Sequence, residues 1–373
     1  MPSRSPSFST RVVAWQRRHG RTGLPWQGTR DPYRIWVSEI MLQQTQVAAA
    51  IPFFERFVAR FPDVGTLAGA PVDEVMRLWS GLGYYARARN LHKAARAVVD
   101  GHGGRFPLSV DQLVALPGVG RSTAAAIAAF ATGERHAILD GNVKRVMARH
   151  FGVDGAVDSA PVLAKLWALA DSLVPARGVE GYTQGLMDLG ATVCTRTSPA
   201  CGNCPVRATC VALRDARIAE LPQRKRSRPV PARAIAMLAV VSRGEVLVEK
   251  RPATGIWGGL WSLPEAPEDA DPADWVERAF GLAVDAVEPL EPFTHAFTHF
   301  TLEVRPWLVT VKGAARAARE PFATWLAIQE APAAALPAPV KKLIARLPRE
   351  APSRGVSARA GSGAGSRGGR RGR

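Results

Sequence analysis

Cysteine is scarce: the 373-residue chain holds 4, and all of them fall between Cys194 and Cys210. That clustering argues for one metal site rather than a disulfide framework. Acid is also in short supply. Asp and Glu number 32 against 49 Lys and Arg, which leaves a net charge of +17 and a pI of about 10.7. Long apolar runs are missing too. No stretch approaches the ~20 residues of a membrane span, and no apolar leader opens the chain, so a cytoplasmic protein is expected. What is present is ample: 47% of the residues are hydrophobic, enough for packed cores, and the length favours two domains. The positive charge points to a polyanionic partner, most simply nucleic acid. The tail over 352–373 holds only Arg354, Arg359, Arg367, Arg370, Arg371 and Arg373, so the body itself is basic.

Through residue 213 the pattern is helical. Asp31-Pro32 is a helix start, with Asp as cap and Pro in the first position. A helix is expected to run from there to Ile51, with Val37, Ile40, Met41, Val47 and Ile51 as its core stripe. Glu39 lies inside that apolar run. Residues 71–80 read as a short helix, residues 81–85 as a turn, and 86–100 as a basic helix bearing Arg87, Arg89, Lys93 and Arg96. Further helices are expected at 142–151, 160–174 and 180–193. Ser109 with Gln112 resembles a capping box. Residues 214–233 mix Arg, Lys and Pro and read as an extended basic linker. From 234 the period shifts to strands: AIAMLAVVS, EVLVEKR and TLEVRPWLVTV, closed by a helix at about 338–347. Residues 349–373 are Gly/Ser/Arg-rich and are expected to be disordered.

The central stretch is 112–145. Helix, Pro117-Gly118-Val119-Gly120 turn, and a second helix from Arg121 make a hairpin. Its glycines let the backbone approach a ligand, and the free N–H groups of the second helix suit a phosphate. Asp140 follows in the loop Leu139-Asp140-Gly141-Asn142. An ordinary helical hairpin with a structural Asp is the alternative, as are a solvated helix residue for Glu39 and an N-cap for Asp140. The cysteines, Cys194, Cys201, Cys204 and Cys210, are spaced C-x6-C-x2-C-x5-C. Four thiolates in so short a loop fit zinc or an iron–sulfur cluster, and spacing alone leaves both open.

Hairpin, Asp and cysteine spacing together resemble the endonuclease III superfamily of DNA glycosylases over residues 8–215. Val37-Ser38-Glu39-Ile40-Met41-Leu42-Gln43-Gln44-Thr45-Gln46, Gly81-Leu82-Gly83-Tyr84-Tyr85 and Leu139–Arg145 resemble its adenine DNA glycosylases, the MutY family. The lyases of the superfamily carry a nucleophilic Lys after the hairpin; this chain has Ser122 there, so a monofunctional enzyme is implied. The resemblance implies an all-α helix-hairpin-helix glycosylase domain over 8–213, whose 194–210 loop holds a [4Fe–4S] cluster. It implies Glu39 as general acid and Asp140 against the cationic sugar, with Asn142 and Ser122 orienting acid or water. Gln44 and Tyr84 would wedge into the duplex, with Leu42 lining the site. Gly118, Gly120, Lys144 and Arg145 would meet the backbone or abasic sugar, and Trp26 would wall the adenine pocket. The implied partner of this monomer is double-stranded DNA carrying adenine opposite 8-oxoguanine or guanine, in a bacterial-type cytoplasm at the nucleoid; no protein partner is implied.

Residues 234–348 resemble the α+β, Nudix-like C-terminal domain of the same family, through Gly255–Glu265, GIWGGLWSLPE. A working Nudix hydrolase places an acid-rich metal-binding helix after this segment. Here the slots hold Ala273, Asp274, Glu277 and Arg278, so recognition rather than nucleotide hydrolysis is expected. Phe297, Thr298 and His299 would contact 8-oxoguanine. Thr298 stands where the family has Ser, which keeps the hydroxyl and adds a methyl. The rival readings are an endonuclease III-type pyrimidine glycosylase and lyase, and a non-catalytic iron–sulfur DNA-binding protein.

Overall fold

The computed structural model describes residues 7–223, 230–297, 299–312 and 322–348. Thr298, the most basic part of the expected linker at 224–229 and the tail from 349 lie outside the described residues.

The first half is helical. Its elements are α1 (Phe8–His19), α2 (Pro32–Leu42), α3 (Val47–Arg60), α4 (Val64–Gly69), α5 (Val72–Trp79), α6 (Ala86–His102) and α7 (Val110–Val114). After the hairpin turn come α8 (Arg121–Thr132), α9 (Gly141–Phe151), α10 (Ala160–Leu173), α11 (Val179–Asp188) and α12 (Val211–Arg214). Local chemistry sets many of the starts. The side chains of Asp31, Asp63, Ser109 and Asp140 each accept a hydrogen bond from a backbone N–H in the first turn that follows. At Ser109 the expected capping box takes a variant form, in which its hydroxyl also donates to Gln112 Oε1 at 2.9 Å.

The single helix expected over 32–51 is two helices. Gln44 adopts φ +57°, a left-handed conformation that no helix can pass through, and the chain turns between α2 and α3. The stripe survives the break: Val37, Ile40 and Met41 are buried, with Val47 and Ile51 packed beside them. A second correction concerns the linker. Residues 214–223 are not extended but fold back on the helices. Arg217 pairs with Asp154 and with Glu220, Leu221 is buried, and Gln223 Oε1 accepts from the Gly155 N–H at 2.9 Å.

The second half is built on one mixed sheet. Its strands are β1 (Ala232–Ser242), β2 (Glu245–Lys250), β3 (Trp261–Ser262), β4 (Glu265–Ala266), β5 (Val284–Pro289), β6 (Phe293–Ala296), β7 (Thr301–Val311) and β8 (Ala323–Ala327). The helices α13 (Pro272–Phe280) and α14 (Ala338–Ile344) complete it. The main order is β3-β2-β1-β7-β5, with β4 on β1, β6 on β7 and β8 on β2. β1 and β7 run parallel, and the other pairs are antiparallel. β1 is covered on both faces, which explains its unbroken apolar run. Met237 and Ala239 enter one core cluster while Ala236, Leu238 and Val240 enter another.

The two halves share a core. The apolar cluster around α2, α3, α5 and α6 continues through Met76 into Trp257, Leu260 and Leu336 of the sheet domain. Polar contacts seal the seam. Arg89 donates to the Gly258 carbonyl, Lys250 pairs with Asp73, and Ser80 Oγ donates to the Leu336 carbonyl at 2.7 Å. Among the described residues no helix is long and apolar enough to cross a membrane.

Candidate active site

α2, α8, α9 and the end of α11 surround a cleft of about 1560 Å³. Its wall holds Glu39, Leu42, Gln44, Ser122, Asp140, Asn142 and Lys144, so residues scattered through the sequence meet here.

Glu39 enters from α2, whose opposite face is the core. Among the described residues no hydrogen bond holds its carboxyl group. Burial, and then the negative charge of Asp140, push its pKa up to about 8. Asp140 enters as the N-cap of α9, with Oδ1 accepting from the Val143 N–H at 2.7 Å. Burial raises its pKa as well. The backbone N–H groups of Val143 and Asn142 and the charges of Arg145 and Lys144 oppose that rise. Asp140 is therefore both a helix cap and a cleft residue, because the capping geometry is what presents its carboxylate. The charge of Asp140 bears on Glu39 as Glu39 titrates, so Asp140 is the first of the two to ionise.

The supporting residues are tied down. Ser122 Oγ accepts from the Leu139 N–H at 2.9 Å, which joins the hairpin to the loop of Asp140. Asn142 Oδ1 accepts from Arg145 Nη2 at 2.8 Å. The same guanidinium donates to the Gly190 and Cys194 carbonyls at 2.6 and 2.7 Å. Arg145, which also lines the cleft, thus ties the Asp140 loop to the cysteine loop. Lys144 lines the cleft and pairs with Asp158 at 2.7 Å.

The hairpin's glycines differ from one another. Gly118 has φ +81°, and a Cβ there would come within 2.9 Å of Asn90 Cβ, so the fold itself requires glycine. Gly120 has an ordinary φ of −91° and caps α8 with nothing near its missing Cβ. Its backbone is open to a ligand at a helix N-terminus.

Not every expected residue reaches the cleft. Trp26 is only 8% exposed and packs edge-on against Phe54, with ring centroids 5.3 Å apart; it is a core residue and does not line the cleft. Tyr84 stands outside the cleft, 49% exposed and at φ +50°. Gln44 does line the cleft, exposed at the tip of the α2–α3 turn. In the sheet domain His299 is exposed. Phe297 is stacked on Phe300 with centroids 4.5 Å apart and also touches His295 and Trp257. Of the Nudix slots, Glu277 accepts from the Val284 N–H and Arg278 donates to the Asp274 carbonyl.

Cys194, Cys201, Cys204 and Cys210 are free thiols gathered beside α9. Burial, reinforced by the other three thiols, pushes Cys204 up to about 11. Thiolates crowded in this way need a strongly positive centre between them. No three His, Cys, Asp or Glu side chains among the described residues stand close enough to hold a single ion. The donor set is all sulfur, which is the chemistry that holds zinc or an iron–sulfur cluster.

Several functional-looking residues were not singled out from the sequence. Arg149 donates to the carbonyls of Leu221, Thr195 and Arg196 and so clamps the cysteine loop to α9. Arg21 lines the cleft, held by the buried carboxylate of Asp188 at 2.6 Å. Gly190 sits in a turn of π-helix, Leu189–Val193, and a Cβ there would strike Asn142 Cβ at 2.6 Å. A glycine and an acid inside an apolar helix were the available signals.

Comparison with known proteins fits this geometry. Residues 37–171 match the model of the HhH-GPD superfamily of base excision DNA repair proteins, and residues 236–346 match that of the NUDIX domain. An adenine DNA glycosylase of Buchnera aphidicola subsp. Baizongia pistaciae is 33% identical over 341 residues, covering 91% of this chain and 96% of the relative. An adenine DNA glycosylase of Homo sapiens is 31% identical over 402 residues, covering 90% of this chain and 73% of the relative. A solved thermostable thymine-DNA glycosylase, 30% identical, covers 56% of this chain and 95% of its own, with a TM-score of 0.51.

Proposed function

Because the chain belongs to the adenine DNA glycosylase family, we propose that it hydrolyses the N-glycosidic bond of adenine opposite 8-oxoguanine or guanine in double-stranded DNA. The carrying observation is the pair Glu39 and Asp140 in one cleft, with burial pushing the Glu39 pKa up to about 8 and Asp140 the first of the two to ionise. Adenine is turned out of the stack to reach them. Glu39 donates its proton to a ring nitrogen, so the C1′–N bond breaks with adenine leaving as a neutral base. Asp140 faces the cationic sugar that remains, as a carboxylate does in retaining glycosidases. Water then adds at C1′ and its proton passes to Glu39, which regenerates the acid and leaves an abasic site. Ser122 and Asn142 keep the Asp140 loop in register, and no lysine follows the hairpin to form a Schiff base.

On this reading Gln44 and Tyr84 enter the duplex beside the vacated base, with Leu42 at the site. Gly118, Gly120 and Lys144 meet the backbone, and Phe297, Thr298 and His299 recognise the oxidised base. The glycosylase domain spans 8–213 and the recognition domain 234–348, in a cytoplasmic monomer. Cys194, Cys201, Cys204 and Cys210 hold a [4Fe–4S] cluster, which shapes the loop between them and stands apart from base excision.

The test is single-turnover base release from a duplex with adenine opposite 8-oxoguanine, guanine or cytosine. The first two should lose adenine and the third should not. Glu39→Gln should bind the first duplex and leave it intact. Wild-type protein that leaves adenine in place opposite 8-oxoguanine would sink the reading. Strand scission without alkali would move it to a lyase. Visible iron–thiolate absorption that bleaches on reduction or iron removal distinguishes the cluster from zinc.

A further inference from the structure

The basic helix α6 hides one of its charges. Arg87 is only 9% exposed, and its guanidinium faces two turns at once. Nη1 reaches the carbonyls of Ile40, Met41 and Gln43 at 2.9, 2.7 and 2.6 Å, where α2 stops and its last carbonyls run short of helical partners. Nη2 donates to Thr45 Oγ1 and to the Gly83 carbonyl, both at 3.1 Å. The plane lies over Trp79 and Tyr84, at 5.3 and 5.5 Å from their centroids. One turn carries Gln44, at φ +57°, and the other carries Tyr84, at φ +50°. Neither residue is glycine, so both backbones sit in a region that needs surrounding support. Arg87 supplies it to both. A lysine cannot do so, since its ammonium is a point donor and not a planar fork.

We propose that Arg87 is a positioning residue that joins the Gln44 and Tyr84 turns into one rigid two-tipped element, so that both tips enter DNA together. Neither tip then has to be ordered separately on binding, which is the advantage of preorganisation. The inference rests on the reading of Gln44 and Tyr84 as inserting residues.

The test is a double-mutant cycle in the full chain. Binding is measured to a duplex bearing a non-cleavable fluorinated deoxyadenosine opposite 8-oxoguanine, with 2-aminopurine as the neighbouring base. Gln44→Ala and Tyr84→Ala are made singly and together, in wild type and in Arg87→Met. In wild type the combined loss of affinity should depart from the product of the single losses by about tenfold. In Arg87→Met it should equal that product within about twofold, and the 2-aminopurine fluorescence that reports insertion should fall. A support for the fold alone would lower the melting temperature and leave the coupling intact, so coupling that persists in Arg87→Met overturns the proposal. If Arg87→Met does not fold, Arg87→Lys carries the same cycle with the same two outcomes. Single alanine variants that bind as wild type would overturn the insertion reading itself, a result distinct from lost or retained coupling.

Discussion

The charge of Asp140 raises the pKa of Glu39 across the cleft, although one acid caps α9 and the other lies in α2. The coupling is one-sided. Burial raises the pKa of Asp140 too, but backbone N–H groups, Arg145 and Lys144 oppose that rise, while no hydrogen bond among the described residues holds the Glu39 carboxyl. Two carboxyls in one site are thus given different environments, and Asp140 ionises before Glu39.

Excision should therefore need Glu39 protonated. Its pKa is near 8, so the single-turnover rate falls about tenfold per pH unit above that value, and it falls again at low pH where Asp140 takes up its proton. In Asp140→Asn the raising charge is gone. The Glu39 midpoint, followed by NMR of the labelled side chain, should move down; an unchanged midpoint would contradict the coupling.

The same shift costs stability. Glu39 titrates near 4.5 when unfolded and near 8 when folded, so the folded state binds the proton more tightly. Stability contributed by the neutral acid is complete below 4.5 and is lost as pH rises through 8. Glu39→Gln removes that loss. Its melting temperature should match wild type at about pH 5 and exceed it at about pH 8.5, by a few kcal/mol of stability. Parallel melting curves at both pH values would refute this.

Gly118 and Gly120 should separate fold from function. Gly118→Ala forces a side chain into φ +81° and onto Asn90, and should cost ~1–3 kcal/mol in urea unfolding. Gly120→Ala meets nothing within 4 Å at an ordinary φ, and should cost under ~1 kcal/mol. It should nevertheless weaken DNA binding at low salt, where the helix N-terminus meets phosphate. Equal effects of both variants on stability would be inconsistent with this division.

Domain docking should matter for partner choice. Gly259, at φ +77°, leaves room for Arg89 Cδ, which a Cβ would approach to 3.3 Å. Gly259→Val should prise the sheet domain from α6. Small-angle scattering should then show a larger radius of gyration with circular dichroism unchanged. Adenine release opposite 8-oxoguanine should lose its advantage over release opposite guanine, while release opposite guanine itself changes little. An unaltered ratio in an expanded molecule would mean that docking does not serve recognition.

Much of this was readable in one dimension because its cause is local. Asp31-Pro32, the glycines of the hairpin, the cysteine spacing and the apolar run of β1 each state their own conformation, and their order placed the chain in the family to which it belongs. Glu39 stood out as an acid in an apolar helix, and Asp140 as the residue beyond the hairpin. Other features had no local cause. At the break after Leu42 the carbonyls of Ile40, Met41 and Gln43 are met by Arg87, from a helix more than forty residues later. Arg87 itself looked like one more charge on a basic face. Trp26 belongs to the core because Phe54 packs on it, and residues 214–223 fold back because Asp154 and Gly155 are there to receive them.

Periodicity by itself determined the helical half and the α+β half, and the motifs around Glu39, Asp140 and the cysteines carried the resemblance to the family, since each rests on residues near one another in the chain. Only the tertiary structure decided which acid keeps its proton, which arginines are tethers, and how the sheet domain sits on α6. Those depend on desolvation and on charges brought together from distant segments, and neither quantity exists until the chain is folded.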